Sequence, residues 1–141
     1  MKKFLVLLLS SVVLFSCSNN ESNEGESGDW KELDAFHKIM AQAYHPLKDS
    51  GDPAPTKQLI TQLADEAEKW SNSELPEKVN TPEMKGRLQK LKTDSRALEN
   101  EIHSGATDGT IKEKMNLLHD QFHQIMEAWH SKETEDDHEN Q

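Results

Sequence analysis

Residues 111–130 read IKEKMNLLHDQFHQIMEAWH. The apolar residues Ile111, Met115, Leu118, Phe122, Ile125 and Trp129 recur at alternating steps of four and three. That period puts them on one stripe of an α-helix and on no single face of a strand. A second line, His119, His123, Met126 and His130, runs beside the stripe. At about 100° per residue, His119 and His123 lie about 40° apart, and His130 lies about 20° from His123. One helix therefore carries an apolar stripe and, alongside it, a row of imidazoles. Thr110 and Glu113 form a capping-box pattern at its start.

The same period recurs upstream. Trp30, Leu33, His37, Met40, Tyr44 and Leu47 mark a first helix. Asp29 is its expected N-cap, with Glu32 three residues on. Pro46 and the run Asp49-Ser50-Gly51-Asp52-Pro53 are expected to end it. Leu59, Ile60, Leu63, Ala67 and Trp70 mark a second helix, over about Ala54 to Ser71. A loop containing Pro76 follows, from Asn72 to Asn80. Thr81 as N-cap and Pro82 at the first helical position open a third helix. Its inward line is Met84, Leu88, Leu91, Ser95, Leu98 and Ile102, and Gly105 closes it. Nothing alternates with the period of a strand. The expected fold is all-α, an antiparallel up-down-up-down four-helix bundle over Asp29–Lys132.

Composition narrows the function classes. The chain has 141 residues, 26 acidic against 16 basic, a net charge of −10, and one cysteine. One cysteine excludes an internal disulfide and every Cys-x-x-Cys centre. The acidic balance argues against a nucleic-acid partner, because a phosphate backbone selects for surplus Lys and Arg. No Gly-rich phosphate loop, G-x-S-x-G or H-E-x-x-H motif is present. No carboxylate pair or nucleophile–base pair stands out, so no enzymatic activity is expected.

The amino end is organised for export. Lys2-Lys3 precede an apolar run from Phe4 to Phe15, too short to span a bilayer, which reads as a signal peptide over residues 1–16. It ends Leu14-Phe15-Ser16-Cys17. This resembles the lipobox of bacterial lipoproteins. The resemblance implies cleavage before Cys17, a diacylglycerol thioether on its sulfur and a further acyl chain such as palmitate on its amine. Several acyl chains give a stable membrane anchor where one would be marginal. Ser18 in place of an aspartate implies, by the same resemblance, the outer membrane of the cell envelope. Residues 17–28 are polar apart from Cys17 and read as the acylated cysteine and a flexible tether. Residues 133–141, ETEDDHENQ, read as a disordered acidic tail.

The histidines carry the chemistry. His37 and His45 lie on helix one, His119, His123 and His130 on helix four. In an antiparallel pairing the start of helix one meets the end of helix four. His37 then stands near the level of His123, and His45 near that of His119. Imidazole and thioether are ligands for copper, zinc and haem iron. Bundle cores commonly host such centres on facing helices. The plainer reading keeps some imidazoles in water and lets His37 bond a carbonyl or Ser95. Met40 and the other methionines fit core filling as well as ligation.

Leu75-Pro76-Glu77-Lys78-Val79-Asn80-Thr81-Pro82-Glu83-Met84-Lys85, with the helices around it, is similar to the cytochrome b562 family of periplasmic bundles. The likeness is specific in Pro-Glu-Met-Lys and covers about Asp29–Lys132. It implies a b-type haem held non-covalently between helices one and four. Ala128-Trp129-His130 matches the family's axial histidine segment, so His130 inherits that role. His37 stands where the family has its axial methionine, and Met40 lies one turn away. A bis-histidine haem would have a lower potential than a His/Met one. His119 and His123 have no place in that scheme, and their His-x-x-x-His spacing is a good chelate on a helix. Three readings follow. One is haem b at His37 and His130, with Met40 as the substitute ligand, for electron transfer or haem holding. Another is a copper or zinc site from His37, His45, His119 and His123, serving a redox or metal-handling partner at the envelope. The third is a cofactor-free helical interaction module.

Overall fold

A computed structural model describes residues 30–139, and the side chains of residues 30–131. The signal segment, Cys17 and the tether lie outside the described residues. The described residues form four α-helices: α1 Lys31–Ser50, α2 Ala54–Asn72, α3 Pro82–His103 and α4 Asp108–Glu139. One short 3-10 turn, Glu77–Val79, sits between α2 and α3. The fold is an all-α four-helix bundle, with no strand among the described residues. No helix among them is long and apolar enough to cross a membrane.

Local chemistry sets the helix ends, and three of them differ from expectation. Pro46 lies inside α1 and does not end it. A proline costs one backbone hydrogen bond, but Leu47 just beyond it is fully buried and holds the last turn against the core. The stop comes at Gly51, whose φ of 73° suits glycine, with the amides of Gly51 and Asp52 both reaching the Pro46 carbonyl. The N-cap position of α1 is Trp30, with no side-chain cap. α4 starts one turn earlier than the Thr110–Glu113 box implies. Thr107 Oγ1 accepts from the Thr110 amide at 3.2 Å, and the Thr107 carbonyl accepts from Ile111. Thr107 thus wins because its hydroxyl caps a turn that already contains Asp108 and Gly109. α3 opens as expected, with the Met84 amide donating to Thr81 Oγ1 at 3.1 Å. The backbone of α4 continues as helix to Glu139, into the stretch whose composition reads as an acidic tail.

The apolar stripes meet in one core. Trp30, Phe36, Trp70, Phe122 and Trp129 are all buried and form a joined aromatic cluster. Centroid separations run from 5.1 Å for Trp30–Trp129 to 6.4 Å for Trp70–Phe122. Contacts between α1 and α4 run in reverse order: Trp30 meets Trp129, Phe36 meets Phe122, and Tyr44 meets Asn116 and His119. That order sets the histidines of the two helices side by side.

On the opposite side, Arg96 of α3 ties α2 to α3. Its guanidinium donates to Asp65 at 2.8 Å, Glu68 at 2.9 Å and Glu99 at 2.6 Å. Glu99 is only 6% exposed. A hydrogen bond from Thr61 and the nearby Arg96 hold its carboxyl below the usual range, against the effect of burial. Arg96→Met should leave that carboxylate buried with its charge uncompensated. We expect a loss of roughly 1–3 kcal/mol, less than for a fully buried pair because Arg96 is partly in water. Urea melts at neutral pH test this; an unchanged midpoint would show that the clasp is not stabilising.

Candidate functional site

The seam between α1 and α4 gathers the imidazoles. His119 and His123 are one turn apart on α4, and their Nε2 atoms lie 3.1 Å from each other. Their ring centroids are 4.3 Å apart, with planes at 65°. Tyr44 of α1 stacks on His119, centroids 4.1 Å apart and planes at 23°. The Tyr44 hydroxyl donates to Asn116 Oδ1 at 2.9 Å. His37 stacks on Phe122, at 5.1 Å and 21°. His45 is exposed and stands 6.3 Å, centroid to centroid, from Tyr44.

The candidates do not all come together. His37 is half-buried rather than inside the core, where Leu33 and Met40 of its stripe sit together with Phe36 and Ile39, which the stripe did not include. A polar ring at the stripe's edge keeps one side in water. Ser95 is buried as expected, but its Oγ makes no hydrogen bond, so His37 does not bond it. His37 and His45 are eight residues apart, about 12 Å along the helix. Among the described residues, no three His, Cys, Asp or Glu side chains stand together as ligands for a metal ion. The structure brings His119 and His123 together and leaves His37 and His45 as neighbours.

The residues that the resemblance assigns to a haem, His37 or Met40 and His130, stand in different surroundings. His130 is exposed at the far end of the seam. The interior beside it is filled by Trp30, Trp70, Phe36, Phe122 and Trp129. Met40 is 1% exposed and belongs to the same packed core.

Burial favours a neutral imidazole at His119. Burial pushes the His119 ring down to about 4, and the neighbouring His123 adds to this. Burial also lowers His37, opposed by Asp34 and assisted by His123 and His45. Between about pH 4 and 6.5 the unfolded chain would therefore bind more protons at His119 than the folded one. Stability from this group is complete above pH 6.5 and is lost as pH falls toward 4. After solvent screening of a partly exposed ring, we expect roughly 1–2 kcal/mol from it. Denaturant melts at pH 7.5 and 4.5 check this against His119→Gln. The variant should lose less stability on acidification than the parent; equal losses would sink the idea.

Sequence reasoning placed Tyr44 on the stripe but did not pair it with Asn116. The only available signal was that Asn116 lies three residues before His119, on the same face. No family model matches the chain, and neither a curated protein nor a solved structure matches it.

Proposed function

We propose that this chain is a lipid-anchored protein of the bacterial cell envelope whose bundle binds a copper or zinc ion through His119 and His123. The observation that supports it is the 3.1 Å separation of the two Nε2 atoms. Two imidazole nitrogens bound to one ion at 2.0–2.1 Å, with angles between square and tetrahedral, stand about 2.9–3.4 Å apart. The separation matches the bite of a chelate set by one turn of helix, and the Nε2–H now shared between the two rings must pass to Nδ1 before both nitrogens can ligate. His37 or His45 supplies a third nitrogen by a side-chain movement, and water completes the sphere. A site with two fixed ligands and exchangeable others suits an ion that must leave again, in buffering or delivery. The anchor is the acylated Cys17 that the lipobox resemblance implies.

The test uses the chain purified without chelator. Its metal content is measured by mass spectrometry, and Zn²⁺ and Cu²⁺ are then titrated by calorimetry. One ion per chain, lost when His119 and His123 are both alanine, is the expected result. Binding that survives the double substitution, or no binding of either ion, would overturn the reading. The second result would leave a cofactor-free interaction module.

A further inference from the structure

Resting on the metal reading above, we infer that Tyr44 is a positioning residue of the same site: from α1, it fixes the His119 imidazole in the orientation that meets His123. A histidine side chain turns about two bonds, and a chelate needs both rings held together. His123 does not hold its partner rigidly; two imidazoles share one hydrogen bond whose direction depends on the tautomer. A second contact orients His119. Tyr44 covers one face of the ring at 4.1 Å with planes 23° apart. Tyr44 is itself buried, 7% exposed, and its hydroxyl donates to Asn116. Asn116 lies on α4, three residues before His119. The chain of contact therefore leaves α4 at Asn116, passes through one ring of α1 and returns to α4 at His119. The Nε2 edge is left facing His123 while the ring face is covered. Outer partners of this kind tune a site without touching the ion.

Three variants test this. Tyr44→Phe keeps the ring and removes the hydroxyl. Tyr44→Leu keeps an apolar filler and removes the stack. Asn116→Ala releases the hydroxyl at an exposed position. In the metal-free protein, NMR should show the His119 ring resonances moving in Tyr44→Leu as the ring current is lost, and nearly unchanged in Tyr44→Phe. Zn²⁺ affinity should fall about tenfold in Tyr44→Leu and only about twofold in Tyr44→Phe and Asn116→Ala. The visible spectrum of the Cu²⁺ form should shift in Tyr44→Leu alone. Equal Zn²⁺ affinity and an unchanged Cu²⁺ spectrum in Tyr44→Leu would overturn the inference. If Tyr44→Leu fails to fold, the decision passes to the other two variants. His119 resonances that stay put in Asn116→Ala with affinity intact support a ring held by stacking. A tenfold loss in Tyr44→Phe overturns it, because the hydroxyl and not the stack would be decisive. Absence of binding in the parent protein refutes the metal reading; in the metal-free protein the nuclear Overhauser contact between the His119 and His123 rings then decides the rest, being lost in Tyr44→Leu if Tyr44 orients His119 and kept if it does not.

Discussion

Trp70→Ala should lower the stability of the bundle by about 3–5 kcal/mol. Trp70 has no exposed surface and lies at the end of α2, against Trp30 at 5.2 Å, Phe36 at 5.5 Å and Phe122 at 6.4 Å. Removing it strips an indole from contact with α1 and α4 at once. The three facing rings are rigid and cannot collapse into the space as aliphatic chains would. Domains of this size have only about 5–15 kcal/mol in total. The variant should therefore lose a large share of its stability, with its urea midpoint moved far down. Helicity followed in urea gives the number. A loss under 1 kcal/mol would mean that the aromatic cluster repacks freely and is not the rigid centre described here.

For Zn²⁺, we expect His119→Ala and His123→Ala each to weaken binding about a hundredfold, because a chelate reduced to one nitrogen loses its fixed bite. His130→Ala should change it less than twofold, since His130 is exposed beyond the buried rings. His37→Ala and His45→Ala should fall between these limits, as each is a replaceable third ligand. Competition against a coloured chelator measures all five. If His130→Ala had the largest effect, the ion would sit elsewhere on the seam, and the haem-like assignment of that residue would need to be revisited. If all five matched the parent, none of these imidazoles would be a ligand.

The helices were legible because their apolar residues recur at steps of three and four, a pattern that buried stripes require. Trp70, Leu91 and Ile125 were all assigned inward from spacing alone, and all are buried. Helix ends were less legible. Pro46 reads as a stop, yet tertiary burial of Leu47 outweighs the lost backbone bond. Thr110 with Glu113 reads as the cap of α4, yet Thr107, three residues earlier, takes that place, and spacing alone does not reveal it. The pairing of His119 with His123 followed from helical geometry within one segment. The depth of His37 did not, because an angle on a helix says which way a side chain leaves the axis and not how close the neighbouring helix comes. Tyr44 and Asn116 met only through packing between segments 72 residues apart.

The separation of the aromatic residues has an optical consequence. The chain has three tryptophans and one tyrosine. Trp30, Trp70 and Trp129 are packed in one cluster, while Tyr44 lies about 21 Å further along α1 from Trp30. Near-ultraviolet circular dichroism thus contains two addresses. The indole bands report the end of the bundle where α1 begins, and the phenol band reports the histidine seam. A change confined to the phenol band would locate an event at the seam, without any added label.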